Sequence, residues 1–245
     1  MAGNNGSGGT GGGLFMASVI LGIALIVCTV LATRTFVRVK GFGQTITVTG
    51  AAYKTIKSDY AIWEGWVSAA GVQTEDAYRE LKRDRATMEQ FLQGRGFTPD
   101  QYEVGPVSIL QNYNRDGLVI GYTLRQEFRI EMDDIDRITQ LAKNVSSVIE
   151  QGVQLDARPP QYLYTKLNDI KIEMIRAATE NAKVRAEQLA ETTGRKVGAP
   201  TSAGVGVFQI RPLHSQEVSG MGMSDVSSID KEIVSTVHVD FLIEE

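Results

Sequence analysis

The sequence predicts an α+β protein, with antiparallel sheets and two long helices packed on one face, preceded by one transmembrane helix. Three observations carry this. Residues 14–32 form an uncharged apolar run. Several later segments alternate apolar and polar residues with the period of two that marks a half-buried strand. Two long segments instead repeat apolar residues at helical spacing.

The apolar run comes first. At 1.5 Å of rise per residue it reaches roughly 28 Å, enough to cross a bilayer core, with Leu14, Phe15, Ile20, Leu25 and Leu31 as its lipid-facing anchor. Residues 1–13 are a Gly-rich tail without Lys or Arg, and residues 33–43 read as a juxtamembrane linker. A secretory signal normally opens with positive charge and has a shorter apolar core, which favours a retained anchor. Val30 and Ala32 still leave a small-residue pattern at which a peptidase can cut. Cys28, the only cysteine, lies inside the run and reads as an inert apolar side chain. Arg34, Arg38 and Lys40 follow the span, and by the positive-inside rule they place the large domain in the cytoplasm.

Residues 44–245 form the folded domain. Ile46 and Val48 alternate with Thr45, Thr47 and Thr49 in a first strand, and a second runs over about 58–70. Thr74 reads as the cap of a helix whose buried stripe is Ala77, Leu81, Met88, Phe91 and Leu92. Gly94 and Gly96 end it, with Pro99 beyond. A strand over 101–113, a turn at Asp116-Gly117 and a return strand make a hairpin. On the return, Leu118, Ile120, Tyr122, Leu124, Gln126, Phe128 and Ile130 are expected on the packed face. A further helix starts after Asp133, Asp134 and Asp136. After a short strand at Val153, Leu155 and Ala157, a long helix covers about 168–193. Its stripe is Ile170, Met174, Ile175, Ala178, Ala182, Ala186, Leu189 and Ala190, and Gly194 closes it. A strand near 205–211, a polar loop over 213–230 and a last strand over 233–243 complete the domain.

Composition excludes some functions. The net charge is −4 with both signs mixed, whereas nucleic-acid binding needs a basic face. Catalytic signatures are missing too: there is no His-x-x-x-His, Cys-x-x-Cys or Gly-x-Ser-x-Gly. His238 and Asp240 lie on the polar side of the last strand, where a solvated pair is commoner than a general base. The Asp133, Asp134 and Asp136 trio suits a cation, but an apolar helix starts there, so capping accounts for it. Asn144-Val145-Ser146 matches a glycosylation acceptor but falls within a helix. Gly204-Val205-Gly206 has no helix after it, so it is not a dinucleotide fingerprint. His214, Met221 and Met223 have the donors for a soft metal, but a flexible Gly/Ser/Met loop is the better explanation. No cofactor or metal is expected.

Aromatic residues say more. Trp63 and Trp66 are three apart, so a regular strand points them to opposite faces, unless a bulge at Gly65 re-aims one. One of them therefore sits near the surface or in a contact. Trp63, Trp66, Tyr113, Tyr162 and Tyr164 are the candidate subunit interface.

The opening ITVTGAA strand, the QGRGFTPDQYEV stretch, the GYTLRQEFRI strand, the TENAKVRAEQLAETTGRKVGAP helix and turn, and the closing STVHVDFLI strand follow one another in a recognisable order. Over about 46–243 the chain resembles the SIMPL-domain (DUF541) family. The resemblance implies an α+β fold and a bacterial envelope protein, anchored in the inner membrane with its domain in the periplasm, opposite to the charge rule. Some family members look like subunits of ring- or cage-shaped homo-oligomers, and the family has no agreed enzymatic activity. The reading is therefore a membrane-anchored, non-enzymatic protein that assembles from many identical subunits. The alternative is an envelope module recognising a small ligand or partner protein, which would need a concave apolar pocket.

Overall fold

The computed structural model describes residues 10–41, 44–215 and 220–244. It opens with helix α1 (Thr10–Gly41), within which Met16–Phe36 is long and apolar enough to cross a membrane. Helix α1 runs past the apolar stretch at both ends, because extending a helix fixes one residue per hydrogen bond once its nucleus exists. Ile20, Leu25 and Leu31 are 65%, 61% and 58% exposed. Leu14 and Phe15 lie on the helical backbone, and their side chains fall outside the described residues. The hydroxyls of Thr29 and Thr33 donate to the carbonyls of Leu25 and Thr29, so neither needs water. Cys28 is exposed on the helix.

The following elements are β1 (Thr45–Lys57), β2 (Tyr60–Gly71), α2 (Thr74–Gly94), β3 (Tyr102–Val104), β4 (Ser108–Tyr113), β5 (Val119–Met132), α3 (Ile135–Asn144) and α4 (Ser146–Ile149). Then come β6 (Gln154–Ala157), β7 (Gln161–Leu163), α5 (Leu167–Thr192), β8 (Lys196–Val205), β9 (Gln209–Pro212), β10 (Met223–Ser224) and β11 (Asp230–Glu244). The fold is α+β with two sheets. One has the order β1-β11-β9-β10, with β8 also on β11, and its β9–β10 pair is parallel. The other has the order β3-β5-β2-β6, with β4 on β5 and β7 on β2. The described residues fall into two compact units, one drawn from 1–49, 182–204 and 238–245, the other from 50–181 and 205–237.

In the second unit, α2 and α3 lie on one face of the β2–β5 sheet. Gln73 caps α2, and Thr74 is its first helical residue, so the helix starts one position earlier than the sequence reading. Its end is a Schellman turn: the Phe97 N–H donates to the Leu92 carbonyl and the Gly96 N–H to the Gln93 carbonyl, with Gly96 at φ 83°. Ala77, Leu81, Met88 and Leu92 are buried as expected, and Asp84 is buried in the same stripe. The predicted strand over 101–113 breaks into β3 and β4 because Pro106 has no N–H for the ladder.

Helix α5 buries Ile170, Met174, Ala178, Ala182, Ala186 and Ala190. The strict step of four advances about 400° per repeat, so the buried line winds slowly round the helix. Leu189 falls off that line and is 51% exposed, against expectation. In the second unit Ile170 and Met174 pack with Ile56 and Ile233. Strand β8 was not anticipated. Its sequence, KVGAPTSAGV, has no alternation, and among the described residues it pairs only with β11, an edge position where Pro200 is tolerated.

Candidate functional site

The two tryptophans divide as their spacing requires. Strand β2 pairs with β5 without interruption from Ala61↔Met132 to Gly71↔Tyr122, so no bulge occurs at Gly65. Trp63 is wholly buried in the core beneath the helices. Trp66 faces the other way and is partly exposed, with the Arg158 guanidinium 4.6 Å from its ring centre. On that outer face Arg129 donates to Glu64 at 2.6 Å and to Glu131 at 3.2 Å. The bond that Arg129 donates to Glu131 holds its proton more firmly than usual, against the opposing effect of burial.

The proposed aromatic interface must accordingly be redrawn. Trp63 and Tyr162 are inside the subunit, Tyr162 with its hydroxyl 2.9 Å from that of Thr139, and they offer a partner no surface. Tyr164 packs, partly buried, against the small core beside α5. Trp66 and Tyr113 remain accessible.

Tyr113 belongs to a larger feature. Strands β4 and β5 form a hairpin arm whose tip is built around Asn114. Its side-chain oxygen accepts from the N–H groups of Asp116 and Leu118, and Gly117 takes φ 77°. A bulge falls between Asn112 and Tyr113. From Leu124 to Ile130 the predicted alternation holds, because that stretch lies under α2. Towards the tip it fails: Leu118 and Ile120 are 65% and 57% exposed, not packed. Ile109, Leu110 and Val119 are open as well. With Tyr113 they make six large apolar residues, each 45% to 65% exposed, spread over both faces of the ribbon. Large apolar residues clustered in the open are a mark of an interaction surface. Among the described residues strand β4 also pairs with β5 alone, leaving its outer backbone edge open.

This signal was present in the sequence. Leu118-Val119-Ile120 and Ile109-Leu110 are consecutive apolar residues, so both faces of the ribbon are apolar there. A half-buried strand does not need that.

The other candidates resolve locally. Asp134 caps α3 by accepting from the Arg137 N–H at 3.0 Å. His238 Nδ1 lies 2.8 Å from Thr49 Oγ1, and Thr47 Oγ1 donates to Asp240 at 2.6 Å, a polar cross-strand face. Met221 is 94% exposed, whereas Met223 lines a cavity. Asn144 donates to the Gln140 carbonyl of its own helix. Among the described residues there is no cluster of three or more His, Cys, Asp or Glu able to hold a metal.

Lys231 was not anticipated. It sits on the buried face of β11, only 1% exposed, and its ammonium donates to the carbonyls of Tyr162 and Asp225, each at 2.5 Å. Burial lowers its pKa, opposed by the Asp225 charge. Burial also acts to raise the Asp225 carboxyl, but hydrogen bonds from Ser227 and Ser228 and the Lys231 charge prevail and hold it below the ordinary value.

Fold and site together define a two-sheet α+β domain behind an apolar N-terminal helix, carrying an open apolar arm. The family model for SIMPL, a protein of unknown function (DUF541), matches residues 46–241, and the chain belongs to that family. No characterised protein matches it.

Proposed function

We propose that the protein is a membrane-anchored, non-enzymatic module that self-assembles into a large ring- or cage-like homo-oligomer at a bacterial cell envelope. Its domain lies on the periplasmic side of the inner membrane. The observation that carries this reading is the hairpin arm: six large apolar side chains stand in the open beside an unpaired strand edge. Burying such a patch against a second copy removes it from water, at about 25 cal/mol per Å² of gross stabilisation. The apolar helix supports the reading too. Confining many copies to one membrane raises their effective concentration, so modest arm contacts suffice.

The test is the particle mass of the full chain in mild detergent, by light scattering and cryo-electron microscopy, for the native protein and for Leu118→Glu/Ile120→Glu. Closed symmetric particles are expected for the native chain and single subunits for the variant, with unchanged thermal unfolding. Single native subunits, or a variant that still assembles, overturn the proposal. Protease added outside spheroplasts should remove the domain, and a protected domain reverses the assigned orientation.

A further inference from the structure

Within the second unit, a cavity of about 220 Å³ opens beside the first turns of α5. Its floor is Ile170 and Ile233, both buried. Phe208 and Ile210 wall one side. The same side continues along β10, where Met223 and Ser224 pair in parallel with Gln209 and Ile210. That wall is held in place: the Asp225 N–H donates to the Ile210 carbonyl at 2.9 Å, and the Lys231 ammonium grips the Asp225 carbonyl. The space is therefore a formed site rather than slack beneath a loose loop.

Its chemistry is one-sided. The lining is apolar except for Ser224 and one charged residue, Lys171. Lys171 has no carboxylate partner among the described residues. An apolar chamber with an unpaired ammonium at its lining complements a molecule with a hydrocarbon body and an anionic head. Volume limits the body. A dry cavity of about 150 Å³ takes benzene, and drug-sized ligands need 300 Å³ or more. The chamber lies between these limits and suits an unbranched chain of roughly six to eight carbons.

We propose that this cavity binds a medium-chain aliphatic carboxylate, its chain against Phe208, Ile210 and Met223 and its head on Lys171. The site is separate from the hairpin arm, so the proposal stands whether or not the subunits associate.

The test uses the full chain in lipid nanodiscs, with methyl-labelled methionine and empty nanodiscs as the partition control. Butanoate, hexanoate, octanoate and octan-1-ol are the probes. Octanoate should shift the Met223 methyl resonance saturably and leave that of Met221 in place. Affinity should rise about fourfold per methylene until the chain fills the chamber. Lys171→Gln, a change at an exposed position, should weaken octanoate about threefold to fivefold and leave octanol unchanged. Phe208→Trp should reduce binding of both by filling the space. A Met223 resonance that octanoate does not shift saturably overturns the proposal, as does equal affinity for octanoate and octanol in the native protein.

Discussion

Trp63 and Gly65 lie on the same face of β2, and the indole rests over the glycine. A Cβ built on Gly65 would stand 2.5 Å from Trp63 Cη2 and 2.8 Å from Cζ2. Carbon atoms prefer 3.5–4.0 Å, so Gly65→Ala requires the ring to retreat by about 1 Å. The ring is wholly buried and has nowhere to go. Overpacking of this kind costs about 1–3 kcal/mol, and the gain from replacing a strand glycine returns at most about 1 kcal/mol. A net loss of about 2 kcal/mol is expected, a fall in Tm of roughly 4–8 °C for a domain of this size. Trp63→Phe shortens the ring and removes an indole N–H that is buried without a hydrogen-bond partner, which offsets part of the lost packing. The double variant should therefore be more stable than the sum of the single losses predicts, by about 1 kcal/mol or more. Both tryptophans of the chain are on β2, so intrinsic fluorescence during thermal unfolding reports on this unit. Additive losses, or an unchanged Tm for Gly65→Ala, refute the reasoning.

Two further outcomes follow from the Lys231 latch. Lys231→Met removes two charge-assisted hydrogen bonds but relieves a buried charge, and a loss of about 2 kcal/mol is expected. It should appear in hydrogen exchange as faster exchange at the amides of Tyr162 and Ser58, which donate to Val226 and Ile229. Acid should act on the same segment. The carboxyl of Asp225 titrates below 3.8 in the folded chain, so its contribution is fully present above that pH and is lost as pH falls through the folded value. Exchange at the Ser227 and Ser228 amides should rise in that window, and an Asp225→Asn variant should show no such step.

How much of this was legible depends on the element. The 3.6 period of α2 and the alternation of β11 from Val237 to Phe241 are each set by one packed face, and a single sequence displays them. The tryptophan spacing gave opposite faces, but which of the two was inside depended on where the helices dock. The packed face assigned to the return strand failed at Leu118 and Ile120. Alternation says that two faces differ, and only tertiary cover says where burial stops. Lys231 and Asp84 were missed for the same reason in reverse. Both occupy positions of a buried stripe, and their polarity gave no warning of their neighbours. The cavity beside α5 brings residues 167–171 together with residues from 208 to 233, and no local pattern records such a meeting.

The Lys231 latch also changes the meaning of the polar stretch that precedes it. Composition alone makes residues 213–230 a spacer into which sequence can be inserted freely. Yet Val226, Ser228 and Ile229 each give a carbonyl to Tyr162 or Ser58, and Asp225 ties the turn to β9. For anyone tagging this protein, positions 225–229 belong with the core strands. A reporter placed there would compete with folding, because the stretch that looks like a spacer is stitched to the strands on either side of it.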